Sequence, residues 1–527
     1  MPHSNDGIGI LGSATGTPAY TENFLNQKVQ DVTNAIDVLG RADHHQSKFI
    51  IMQKSLAHKI THLQRTLYTG SPTSNLANIG RKLDLRMRAL LQSLTPHTFL
   101  NDTAWELATL PPLHGGLGIQ TFQHNADPAF LASYTLANLT LPNLFPHLAD
   151  AFGDPADSAP PHNTTPTAIA AREAYHRIRG QDPRSVAPIR AQTNPAPGTP
   201  RMNTRHDVTR TLQHKISQPL HETRHENLLD SLDERHRAQN LSNTGDVYGF
   251  TALPTCTELT LENSLYTICL ARRLLLRLTT CNCEAHLCPI CHSTESHIDP
   301  WGDHACVCTA DANPNRRTEF HDKSYVVFYN MLRSVGFHCT SDHTGGATNA
   351  LISDSQKRPD IILHDVNPTG SDILIDCVTC VPTKRAIRTR ASNIRGAAAD
   401  EGHARKVKDW YDHCVSQGDI CYPLAIEDGG LIHDNGLELI DKAVSATGGT
   451  RGEQSAFRTY WRQRISIAIM RGVAKMIKSR IPRCAGEHQH IIPMHHCSLT
   501  SFTSPPAPHT CMTTCHTYSK TSHNNSA

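Results

Sequence analysis

Four residues in the middle of the chain have the spacing of metal ligands. Cys288-x2-Cys291 is followed after twelve residues by His304-x3-Cys308. Zinc favours four thiolate or imidazole ligands in a tetrahedron, and pairs two or three residues apart can chelate from one turn. Between the pairs runs HIDPWGDHACVC, where Pro300 and Gly302 permit a tight reversal that returns His304 to the first pair. A site filled by protein ligands is structural rather than catalytic. Cys281, Cys283, His292, His297 and Cys306 compete as ligands. The rival reading is cysteines used as small buried hydrophobes. All 17 cysteines lie after residue 255, and eight fall between Cys256 and Cys308. A disulfide framework would not spare half the chain, so reduced metal-ligating thiols are expected.

A second constellation is acidic. Arg358-Pro359-Asp360 is followed after fifteen residues by Asp376 within ILIDCVTC. A carboxylate in an apolar strand is costly unless it is paired or metal-bound. Two such strands side by side would bring the carboxylates together into a site for Mg²⁺, a hard cation that takes oxygen ligands. The metal would activate a water and stabilise charge on a phosphate. The competing reading makes Asp360 a turn cap and Asp376 half of a structural ion pair. A lysine is expected nearby. Lys406 and Lys408 in HARKVKDWY are the candidates, with Lys384 more remote; the alternative for each is a solvated basic helix face.

These residues need elements to position them. RRTEFHDKSYVVFYNMLRSVG reads as a helix, followed by strand candidates FHCT, DIILHD and DILIDCVTCV, then helix AAADEGHARKVKDWYDHCVS, strand ICYPLAIE and helix GLELIDKAV. The order indicates an α/β region with a mixed sheet over 313–445. Upstream, GIGILGSATGTPAY reads as a strand and turn. Leu25, Val29, Val32 and Ile36 then recur at helical steps, as do Phe49, Met52, Leu56, Ile60 and Leu63, and later Leu83, Leu85, Leu90 and Leu94. The expected organisation is multidomain: an all-α helical region over 1–145, a polar linker over 146–212 too poor in large apolar residues to fold, a helical connector over 213–278, a small knuckle motif over 279–312, the α/β domain, a basic helical segment over 446–483 and a disordered tail over 484–527.

Composition agrees with folded blocks joined by polar segments: 38% hydrophobic residues, 32 prolines and 31 glycines in 527 residues. A net charge of +2 gives no whole-chain argument for nucleic acid, so charge is read locally, in RRLLLR, KRAIRTRASNIR and RQRISIAIMRGVAKMIKSR. No run approaches the ~18 apolar residues of a membrane span. The first residues lack the basic and apolar parts of a secretory signal. An intracellular protein is expected. The 34 histidines are spread throughout, and most are read as solvent-facing.

In this order the pieces resemble a family. RPDIILHD…DILIDCVTCVPT is similar to the restriction-like endonuclease domain of site-specific non-LTR retrotransposons, of the PD-(D/E)xK nuclease superfamily, and CPIC…DPWGDHACVC is similar to the zinc knuckle before it. GIGILGSATGT resembles the strand and turn leaving a reverse-transcriptase palm. SLAHKITHLQRT and LPPLHGGLGIQTF…ADPAFLASY resemble the thumb and connection. ISQPLHETRHENLLDSL and FTALPTCTELTLENSLYTICLARRLLL resemble the stretch before the knuckle. The likeness covers roughly residues 7–145 and 213–445, and colinear order is its specific part. It implies that Asp360 and Asp376 bind Mg²⁺, that Lys406 or Lys408 is the lysine moved onto the helix, and that Cys288, Cys291, His304 and Cys308 carry structural Zn²⁺. The implied partners are DNA and element RNA, without a membrane, and the implied place is the nucleus. No Asp-Asp pair exists for a polymerase site, so no RNA copying is expected. Val378 stands where relatives would have threonine. A catalytically dead zinc- and nucleic-acid-binding remnant is the alternative the same likeness allows.

Overall fold

The first described residues form a hairpin, β1 (Gly7–Ile10) against β2 (Ser13–Gly16), rather than one strand and a turn. In this computed structural model the described residues are 6–10, 13–59, 61–67, 75–96, 98–147, 153–156, 165–189, 205–244, 247–278, 288, 291, 299–308, 315–341, 358–364 and 370–480. The expected tail over 484–527 lies outside them.

The helical part follows the apolar spacing. It comprises α1 (Pro18–Gly40), α2 (His45–Lys54), α3 (Thr61–Thr66), α4 (Asn75–Gln92), α5 (Asp102–Thr109) and α6 (Phe122–Leu144). Thr17, Asn101 and Thr121 cap α1, α5 and α6 by accepting backbone N–H bonds, which satisfies donors the helix itself cannot pair. Leu25, Val29, Val32 and Ile36 are buried together with Phe49, Met52, Leu56, Leu63, Leu83, Leu90 and Leu94. Leu85 instead points outward, at 63% exposure. Its neighbours on the inner face are Leu83, Met87 and Leu90, so the apolar stripe of α4 passes it by. Ile60 lies outside the described residues.

The segment read as a polar linker is corrected by helix α7 (Pro166–Gln181), capped by Thr165. Ala168, Ala171, Tyr175 and Ile178 pack with Phe130 and Leu131 of α6 and with Leu212, Ile216 and Leu220 of the long helix α8 (Arg205–Ser231). Alanines bury little surface each but let helices approach closely, so few large side chains suffice. Helices α9 (Glu234–Asn243), α10 (Tyr248–Thr251) and α11 (Asn263–Arg273) complete the connector.

After the short helix α12 (Asp303–Val307) comes α13 (Asn315–Ser334), then strands β3 (Cys339–Ser341), β4 (Ile361–Leu363) and β5 (Ile373–Cys380), a turn of helix α14 (Arg388–Ala391), helix α15 (Ala397–Gln417), strand β6 (Ile420–Glu427) and helices α16 (Asp434–Ala446) and α17 (Arg451–Arg480). The four-stranded sheet runs β3-β4-β5-β6; the first two pairings are antiparallel and β5–β6 is parallel. The expected mixed sheet is present, and α15 is the crossover that a parallel pair requires. Pro423 sits in β6, which is the sheet's edge and loses no ladder bond on its outer side.

The expected boundary near residue 445 cuts through a core. Trp461, Ile465, Ile469, Val473 and Ile477 of α17 pack with Phe328 and Leu332 of α13 and with Ile375, Leu424 and Ile426 of the sheet. On its other side α17 places Ile467, Met470 and Ala474 among the helical core of Leu91, Leu94, Leu265 and Leu270. The described residues between 6 and 480 accordingly belong to one compact unit.

Candidate metal centre and carboxylate site

The ligand atoms of Cys288, Cys291, His304 and Cys308 all lie within 4.8 Å of one another. These are the four residues picked out by spacing. The anticipated reversal is there. Gly302 adopts φ +81°, a left-handed conformation that a side chain disfavours. Asp299 then accepts the backbone N–H groups of Trp301, Asp303 and His304 at 2.9, 3.0 and 2.6 Å, fixing the start of α12. That clamp aims His304 Nε2 to within 3.5 Å of Cys291 Sγ. Cys288 and Cys308 are buried, and burial lowers His304, which keeps its imidazole in the neutral, metal-binding form. A Cys₃His group of this kind can hold a metal ion such as zinc. Of the competing ligands, Cys306 is excluded. It is buried beside Arg272 and Asp428, away from the other four. Cys281, Cys283, His292 and His297 lie outside the described residues.

The carboxylates also meet. The β4–β5 register pairs Ile361 with Ile375, so the next step sets Asp360 opposite Asp376 with both side chains leaving the same face of the sheet. Asp360 Oδ2 accepts the backbone N–H of Cys377 at 2.6 Å. Asp376 Oδ2 accepts from Lys406 Nζ at 2.8 Å and from Trp410 Nε1 at 2.6 Å. Burial lifts the Asp376 carboxyl above its ordinary range; the Lys406 ammonium pulls it back, and the Asp360 carboxylate pushes it up again. Lys406 therefore belongs to the site. Lys408, two residues on and so on the far side of α15, is exposed and does not. Lys384 is exposed on the loop after β5.

Two members of the cluster were not foreseen. His321 of α13 places Nε2 3.4 Å from Asp360 Oδ2 and 3.0 Å from the Cys377 carbonyl, with Nδ1 3.2 Å from Asp322. Burial alone would lower it, but Asp360, aided by Asp322, outweighs that and lifts the imidazole to about 9, so it is a cation at neutral pH. Its spacing to Tyr325, Phe328 and Leu332 on the buried stripe of α13 was the available signal. Trp410, buried at 2% exposure, follows Lys406 by one turn and so shares its face. Three carboxylates, Asp322, Asp360 and Asp376, thus meet two cations, His321 and Lys406.

Several basic residues expected to meet phosphate are internal. Arg272 and Arg273 of RRLLLR are buried. Arg272 pairs with Asp428 at 2.7 Å and with Asp303 at 3.1 Å, while Arg235 grips Asp303 at 2.7 and 2.9 Å. In α17, Arg471 donates to the Thr257 and Thr260 carbonyls, and Arg480 is buried. Lys384, Arg385 and Arg388 line a cavity of about 730 Å³ beside the Cys/His cluster, together with Trp301 and His304 and with four carboxylates, Asp233, Glu234, Asp299 and Asp303.

No helix among the described residues is long and apolar enough to cross a membrane. The chain matches no known protein family and no curated protein.

Proposed function

We propose that the chain is a retrotransposon-derived, metal-dependent DNA endonuclease that nicks target DNA in the nucleus. The observation that carries this reading is the meeting of Asp360 and Asp376 on paired strands, with Lys406 delivered to Asp376 by the crossover helix. Adjacent carboxylates that repel one another, as the effect of Asp360 on Asp376 records, fit a hard divalent cation. Bound there, Mg²⁺ would supply an activated water and stabilise charge on the scissile phosphate. Within the chain, Asp360 and Asp376 would be its ligands. Lys406, freed from Asp376, would neutralise the phosphate. Trp410 and His321 would hold the two carboxylates in orientation. The Cys/His cluster would carry Zn²⁺, and Lys384 and Arg385, exposed on the loop after β5, would contact DNA phosphates without reading sequence.

A second reading, a catalytically dead zinc- and nucleic-acid-binding remnant, is favoured by the pairing of each aspartate within the protein, Asp376 with Lys406 and Asp360 with His321. Nicking of supercoiled plasmid by the full chain in Mg²⁺ separates the two. Asp360→Asn and Asp376→Asn should each abolish nicking while the circular dichroism spectrum stays unchanged. Nicking that persists in both variants overturns the endonuclease assignment. Salt-sensitive DNA retention with no nicking by the wild type selects the remnant.

A further inference from the structure

A cavity of about 780 Å³ opens between α3, the turn from α5 to α6, and α8. Five imidazoles reach it: His58, His62, His124, His214 and His221. Two guanidiniums join them. Arg224 is held by Glu106 at 2.7 Å and by Thr109 at 2.6 Å, and Arg65 is held by Gln213 at 2.7 Å. The residues lining the cavity include no aspartate or glutamate. Thr61 Oγ1, in the same wall, is buried with no hydrogen-bond partner. Pro111, Pro112 and Ile119 add an apolar strip.

That composition defines an occupant. A lining rich in N–H donors, with no carboxylate of its own and the nearby Glu106 already engaged by Arg224, suits a multiply charged oxyanion. The volume is that of a site for a small organic molecule, roughly 300–1,000 Å³, and exceeds what a lone inorganic anion fills. We propose that this cavity binds a phosphate monoester carried on a nucleotide-sized group, with the phosphate toward Arg65, Arg224 and the imidazoles and the flat portion against the proline strip. Burial, reinforced by Arg224, lowers His124 to about 4 and His221 to about 3, so at neutral pH both rings are uncharged and each offers one N–H. The inference is independent of the carboxylate site, and variants at Asp360 and Asp376 should leave it untouched.

Isothermal titration of the full chain with AMP and with adenosine tests it. AMP should bind and adenosine should not. A 5′-phosphorylated oligonucleotide and its 5′-hydroxyl twin identify the source: tighter binding of the phosphorylated strand than of AMP points to a strand end, and equal binding to a free nucleotide. Ser217→Glu, which places a carboxylate in the wall, should weaken AMP about tenfold or more. His214→Ala, at the exposed rim, should weaken it less and with unchanged thermal stability. Binding that ignores the phosphate, or that survives Ser217→Glu at full strength in a folded protein, overturns the proposal.

Discussion

Glu427 ends strand β6 with its side chain almost wholly enclosed, 1% exposed, and accepts the backbone N–H of Ala399 in the first turn of α15 at 3.1 Å. The helix terminus favours its charge, but burial wins and, with Asp428 adding repulsion, lifts the carboxyl from 4.5 to about 7. An acid raised on folding binds its proton more tightly in the native state, so its contribution is complete below the ordinary value and disappears as pH climbs through about 7. Glu427→Gln keeps the acceptor and removes the titration. Urea midpoints of the wild type should therefore fall relative to the variant between about pH 5 and 8; parallel curves would refute this role. At this scale the metal-ligand quartet was legible because paired spacing encodes chelation. His321 and Trp410 were not, since their partners come from elements distant in sequence. Of the histidines that reach the cavity, His58, His62 and His214 are exposed and only His124 and His221 are half-buried; that grouping leaves no mark on local spacing.

Among elements, α15 matters most, because it carries Lys406 to the sheet. It lies close on β5 at Gly402, where a Cβ would overlap the Cys380 thiol and stand 3.2 Å from Val378 Cγ1. Alanine normally stabilises a helix interior by about 1 kcal/mol over glycine. Here the sign should reverse. Gly402→Ala is expected to cost about 1–3 kcal/mol through overpacking, and under the proposed endonuclease function nicking should fall with it, because Lys406 stands one turn further along. A thermal midpoint at or above wild type would show that the contact is not tight. The strands and helices around this site were readable in order from runs of β-branched and apolar residues between polar breaks. Helix α7 was not, because it packs through Ala168 and Ala171, which composition does not distinguish from a linker. Leu85 misled because three-and-four spacing admits two neighbouring stripes on one helix, and only packing chooses between them.

Across the molecule, one buried ionic network joins parts that the sequence presents as separate. Arg235 of α9 and Arg272 of α11 meet Asp303 at the knuckle and Asp428 beyond β6, and Gln239 adds a bond to Arg272 at 2.9 Å. Although burial pushes Asp303 up, the two guanidiniums hold it down to about 2. Buried charges are expensive to strand, so Arg272→Met, which leaves Asp428 without its guanidinium, should cost about 3–5 kcal/mol. Adding Asp428→Asn should return part of that loss. A single cooperative urea transition in the wild type, broadened or split in Arg272→Met, would mark the network as the tie between helical and sheet portions; an unchanged transition would remove it from that role. Domain boundaries drawn from composition missed this tie, because a salt link between residues more than 150 positions apart leaves no local trace.

Helix α17, with one flank in each of two cores, has a consequence for biosynthesis. A nascent chain that has emerged only as far as residue 450 lacks Ile467 and Met470 for the first core and Ile465 and Val473 for the second. Folding of either core during synthesis should therefore wait, with both apolar seams open, until the thirty residues of α17 have left the ribosome and can close the two together.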